Sequence, residues 1–171
     1  MRRFLFLIVT LILATGGAMS TAPNGAAAPP EPQPVTLPCA TNMSVQMLGN
    51  AQPAAATDQT LVLVRAIFGP GGGIGPHTHP GTLVISVESG AFGFTPVGDG
   101  DMAMTVMRSG DSGTPAAAEP MVMGQETVLH PGDWVVETGM VHSARTVGDE
   151  PVEVVFSGLV DAGQPLTTCV A

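Results

Sequence analysis

From about residue 43 onward, glycine, proline and aspartate cut the chain into short runs of β-branched and apolar residues. None of these runs carries the long 3.6-residue period of an amphipathic helix. The β-type runs are 60–68, 83–87, 102–107, 134–137 and 152–160, each bounded by turn-forming residues. Alternation within the last run places Val152, Val154 and Phe156 on one face and Glu153, Val155 and Ser157 on the other, as in a half-buried strand. The Ala-rich piece 52–57 is too short to hold a helix unaided. With 171 residues the chain suits one domain, and 44% hydrophobic residues suffice for a core. The expected fold is all-β, a sandwich or barrel. Residues 97–101 read as a hairpin connection and 109–125 as a polar, solvated excursion carrying Met121 and Met123.

The N-terminus is built differently. Met1-Arg2-Arg3 precedes a continuous apolar run over residues 4–14, interrupted only by Thr10. That run is shorter than the roughly 20 residues a bilayer span requires, so residues 1–20 read as a secretory signal peptide cleaved near Thr21. Residues 21–38, rich in Pro and Ala, read as a mobile linker, and residues 39–171 as the folded domain. The expected location is secreted or periplasmic, with no membrane span after processing. Cys39 and Cys169 are the only cysteines and bracket the domain. In an oxidising compartment they read as one disulfide, the alternative being two free thiols. Removal of Arg2 and Arg3 leaves three Arg against fourteen Asp and Glu, 3 − 14 = −11. So acidic a body, without a cluster of cations, excludes nucleic acid as a partner.

His77 and His79 stand two residues apart, between Pro76 and Pro80. In an extended chain residues i and i+2 project to one side, and the prolines bias the segment towards extended angles. Both imidazoles can then face one point, which is half of a metal site. Much later, Gly132-Asp133 leads into the run 134–137, a turn at Gly139 and His142. A barrel can bring this segment beside the first pair. His130, outside that pattern, reads as an ordinary loop residue.

In these two segments the chain resembles the cupin superfamily, the single-domain jelly roll or double-stranded β-barrel. Gly71, His77, His79 and Gly90 match its first motif; Gly132, Asp133, Gly139 and His142 match its second. The chain departs from the pattern where the first motif has a Glu: Thr82 and Leu83 stand there, and Glu88 falls elsewhere. Glu137 replaces the second-motif Pro, and Thr146 the trailing Asn. The resemblance implies a three-histidine site, His77, His79 and His142, without the acidic ligand. Its cofactor would be a divalent metal ion: Fe, Mn, Cu, Zn or Ni. A scaffold that has lost its metal is the alternative.

Thr82 is a candidate weak ligand, while Glu126 and Glu137 read as solvated, and no catalytic residue is assigned. Arg145 is expected to pair with Asp149, Glu150 or Glu153 at the surface. Ile85, Val87, Phe92, Phe94 and Met140 are candidate pocket residues or simply core. The implied function is an exported small cupin that binds or acts on a small organic molecule, dioxygenase-like in its most concrete form. The alternatives are a non-catalytic metal or ligand binder and a metal-free structural barrel. Met102, Met104 and Val106 offer an apolar face for a homodimer, unless they point into the core.

Overall fold

The computed structural model describes residues 30–98, 104–110 and 115–171, and the signal peptide expected over 1–20 lies outside them. Twelve strands appear among the described residues, in chain order β1 Gln33–Pro34, β2 Ala40–Ala51, β3 Gln59–Thr78, β4 Gly81–Ser89, β5 Phe92–Pro96, β6 Met104–Ser109, β7 Pro115–Met121, β8 Thr127–Leu129, β9 Trp134–Glu137, β10 His142–Thr146, β11 Val152–Asp161 and β12 Thr168–Cys169. The described residues contain no helix, and so none long and apolar enough to cross a membrane. All pairings are antiparallel, in the order β7-β6-β9-β4-β11-β3-β10-β5-β8, with β2 and β12 also on β3 and β1 on β2. The sheet curls on itself as a cupin-type jelly roll, the fold class expected from the strand pattern.

The long strand β3 makes the curl possible. Its first half pairs with β11 from Gln59 to Phe68, and its second half pairs with β10 from Gly73 to His77. Between them the chain bends at Gly69–Gly72, where Gly71 has φ +67°. Asn42, itself at φ 45°, packs against this bend, and its side-chain amide donates to the Pro70 carbonyl at 3.0 Å. The Thr146 hydroxyl donates to the Gly69 carbonyl at 2.9 Å from the other side. Thr146, standing where the family pattern has Asn, therefore fastens the bend.

Period-two alternation sets the core. Val62, Val64, Ala66 and Phe68 of β3, Leu83, Ile85 and Val87 of β4, and Val152, Val154 and Phe156 of β11 all face inward and are buried. Each such Val, Leu, Ile or Phe contributes roughly 1.5–3 kcal/mol relative to exposure. Met104 and Val106 are also buried, so the dimer face assigned to them is not available; Met102 lies outside the described residues. The exposed large apolar side chains include Leu61, Leu63, Val84, Val136 and Leu159, on the outward side of β3, β4, β9 and β11.

Two expectations need correction. The linker expected over 21–38 ends early: Gln33–Pro34 pair with β2, the Val35 amide donates to Met43 at 2.9 Å, and Val35 and Leu37 cover an apolar cavity. The excursion 109–125 contains β7, which pairs with β6 and buries Met121, because an unpaired edge on β6 would leave its backbone groups without partners. Residues 52–57 form turns. Part of the expected hairpin connection at 97–101 lies outside the described residues.

Cys39 and Cys169 are bonded, with Cα atoms 5.9 Å apart across a separation of 130 residues. The disulfide joins the ends of the domain, as the cysteine placement predicts.

Candidate metal centre

The three histidines converge. His77 of β3 is the cross-strand partner of His142 of β10, and His79 follows two residues later on the same side of the chain. Ring centroids are 4.2 Å apart for His77–His142, 5.0 Å for His77–His79 and 5.3 Å for His79–His142. One ring nitrogen from each lies within 4.8 Å of the other two. All three side chains are buried.

Every ring is oriented by a backbone carbonyl. Nδ1 of His77 donates to Gly75 at 2.9 Å, Nδ1 of His79 to Leu166 at 2.7 Å, and Nδ1 of His142 to Met140 at 3.0 Å. A carbonyl only accepts, so each Nδ1 carries the proton and each Nε2 keeps its lone pair. This outer-shell arrangement suits neutral imidazole ligands. Burial lowers all three pKa values, that of His79 to about 4 and that of His142 to about 3. The Leu166 carbonyl opposes the shift at His79, and mutual repulsion among the rings adds to it at His79 and His142. Three neutral, carbonyl-anchored imidazoles fit a divalent cation, and the same set has no role in a purely apolar core.

The other candidates fall elsewhere. Thr82 is exposed and faces away from the barrel interior, so it is no ligand. Glu126 takes Arg145 in a two-pronged pair, at 2.5 Å to Nε and 2.6 Å to Nη2, rather than reaching inward. Arg145 therefore pairs with Glu126, not with the acids expected of it. His130 is exposed, as expected of a loop residue.

Glu137, expected to be solvated, is fully buried, and neither carboxylate oxygen has a hydrogen-bond partner among the described residues. It stands across the β4–β9 pair from Leu83, the position where the family pattern has its Glu. Burial pushes its carboxyl up to about 7, and the weaker opposing pull of the nearby Gly139 and Met140 amides, which make no well-formed hydrogen bond to it, does not offset this. Glu137 is not among the residues whose donor atoms cluster within 4.8 Å. Inward alternation from Val135 on β9 is the signal that would have found it buried.

The histidines open into a cavity of about 280 Å³. Ile85, Phe92 and Phe94 line it as expected; Val87 and Met140 are buried core residues outside its lining. Phe94 stacks on His142, with centroids 4.7 Å apart and planes inclined by 14°.

No protein-family model matches the chain, and no curated protein matches it. Among solved structures, the chain is similar to an L-ribose isomerase of Cellulomonas parahominis with L-psicose, at 21% identity and TM-score 0.51, over 75% of this chain and 69% of that one. It also matches a cupin superfamily protein of Desulfitobacterium hafniense at 12% identity, over 70% and 78% of the two chains, with TM-score 0.45. The polyketide cyclase RemF of Streptomyces resistomycificus matches at 19% identity, over 82% and 80%, with TM-score 0.42. At such identities the likeness is one of fold. Curled sheet and inward-facing histidines together define a small β-barrel built around a buried three-imidazole cluster. The fold of the chain is thus that of the cupin jelly roll.

Proposed function

We propose that this chain is exported by its residues 1–20 and binds one divalent metal ion through His77, His79 and His142, with a small organic molecule held in the adjoining cavity. The observation that carries this reading is the anchoring of all three Nδ1 atoms on backbone carbonyls, together with the gathering of one ring nitrogen from each histidine in one buried cluster. The disulfide is consistent with an oxidising, extracytoplasmic location.

A bound cation supplies Lewis acidity and, where redox-active, the electrons for dioxygen chemistry. The chain's own residues supply the rest. Gly75, Leu166 and Met140 hold the rings in one tautomer, and Phe94 supports the face of His142. The apolar walls exclude water from the organic ligand. A dioxygenase-like reaction is the most concrete catalytic version. A second reading, a non-catalytic binder of metal or ligand, is favoured by one observation: among the described residues no carboxylate lines the cavity to serve as a base beside a ligand there.

Elemental analysis of the purified protein beside His77→Ala, His79→Ala and His142→Ala tests the site. About one equivalent in the parent and near none in the variants is the expected result; equal content in all four defeats the reading. Oxygen uptake with a panel of phenols and thiols then separates the enzyme from the binder.

A further inference from the structure

The cavity is unusual for what it omits. Among the described residues no charged side chain lines it, and its polar side chains are the three histidines and Thr167. Four phenylalanine rings, Phe68, Phe92, Phe94 and Phe156, form much of the wall. The half-exposed lining residues Val35, Leu37, Leu166 and Thr167 lie where the cavity meets solvent, and three of these four are apolar as well. A ligand entering here loses its hydration and recovers side-chain polar contacts only at the histidine end and, at the mouth, from Thr167. Each hydroxyl, amine or carboxylate elsewhere on its body would be buried unpaired.

Building on the metal reading above, we propose that the ligand is a neutral, largely apolar molecule with an aromatic body and one oxygen donor at the end that meets the histidines. Size supports this class. At about 280 Å³ the cavity is roughly twice the ~150 Å³ apolar cavity that accommodates benzene, which leaves room for a substituted ring. Edge and face contacts with the four Phe rings favour an aromatic body over an aliphatic one. Polyols and small dianions are the classes the walls reject. The cavity thereby differs in kind from one built for a sugar, even though the barrel resembles that of a sugar isomerase.

The test uses the full, disulfide-bonded chain loaded with Co²⁺, whose visible absorption reports a new donor at the metal. The probes are para-propylphenol and ribose, which have the same number of non-hydrogen atoms but one hydroxyl against several. Calorimetry is expected to show the phenol binding at least about 100-fold more tightly, with a change in the cobalt spectrum. Val45→Phe, which narrows the cavity from the half-buried side of β2, is expected to weaken the phenol at least about tenfold and leave Co²⁺ affinity unchanged. Comparable binding of the two probes, or no binding of the phenol, overturns the proposal while the metal reading stands. Failure of the parent protein to take up Co²⁺ overturns the metal reading, and the proposal with it.

Discussion

The backbone carbonyl of Leu166 accepts a 2.7 Å hydrogen bond from Nδ1 of His79, linking a C-terminal segment to a histidine 87 residues earlier. That segment is held down three residues later by the Cys39–Cys169 bond, and Cys169 pairs in register with His77. The disulfide therefore braces the histidine cluster as well as the chain ends. Reduction, or the Cys39→Ser/Cys169→Ser double variant, is expected to cost up to about 5 kcal/mol of stability on the chain-entropy model. In protein that remains folded by circular dichroism, metal affinity is expected to fall about tenfold, the low end for loss of an outer-shell partner. Unchanged affinity in the folded, reduced protein would show that the bond stabilises the chain without orienting His79.

Glu137 carries a buried carboxyl whose pKa stands at about 7, above the ordinary 4.5. A carboxyl raised in the folded state binds its proton more tightly there than in the unfolded chain. The metal-free protein should then lose stability as pH rises from about 4.5 to about 7, by roughly 3 kcal/mol, and remain at the lower level above that. Glu137→Gln removes the ionisation and is expected to flatten this limb and to be the more stable protein at pH 8. Urea midpoints at several pH values measure it; parallel curves for the two proteins would show that Glu137 finds a partner when ionised.

How much of this was legible beforehand varies with the range of the interaction. Alternation in β11 and the extended bias of the prolines around His77 and His79 are local, and both appear in the structure as read. The convergence of His142 was legible only through resemblance, because a pairing between β3 and β10 depends on how the sheet curls. Glu137 was misread because composition makes any acid in so acidic a chain look solvated. Its place, two residues beyond inward-facing Val135, was the better guide. Val35 and Leu37 were assigned to a linker because their neighbours are Pro and Ala. Two apolar side chains with an open cavity beneath them suffice to dock such a segment.

Asp133 shows what the second motif does away from the three histidines. Its carboxylate accepts from the Ser109 amide at 2.8 Å, the His130 amide at 2.9 Å and Arg108 Nη1 at 2.8 Å, and Arg108 also reaches Glu119 and the Val128 carbonyl. Burial pushes the carboxyl up, but the two amides and Arg108 outweigh it and hold the pKa below the ordinary value. The stability it contributes is present above the unfolded pKa of 3.8 and is lost as pH falls through the lower folded value. Asp133→Ala strands two amides and is expected to cost about 3 kcal/mol by urea denaturation, with metal affinity unchanged. A drop in affinity as large as that of His142→Ala would instead place Asp133 in the site.

The depressed histidines make a prediction about protons. In the unfolded chain each titrates near 6.5, whereas folded His79 titrates near 4 and folded His142 near 3. Stability of the metal-free protein should be complete above about pH 6.5 and fall as acid protonates the unfolded chain in preference to the folded one. His142→Leu removes one of these groups and is expected to soften the acid limb. The same depression governs metal uptake. Imidazoles of ordinary pKa would each release roughly three quarters of a proton on binding a cation at pH 6. His79 and His142, already neutral at that pH, release almost none, and His77, whose pKa is lowered by burial, releases less than an ordinary imidazole. Calorimetry at pH 6 in two buffers of different ionisation heat is therefore expected to show release of less than one proton on Co²⁺ binding. A difference corresponding to two protons would mean that the rings are solvated before the metal arrives, and that the buried, carbonyl-anchored cluster is formed by the ion.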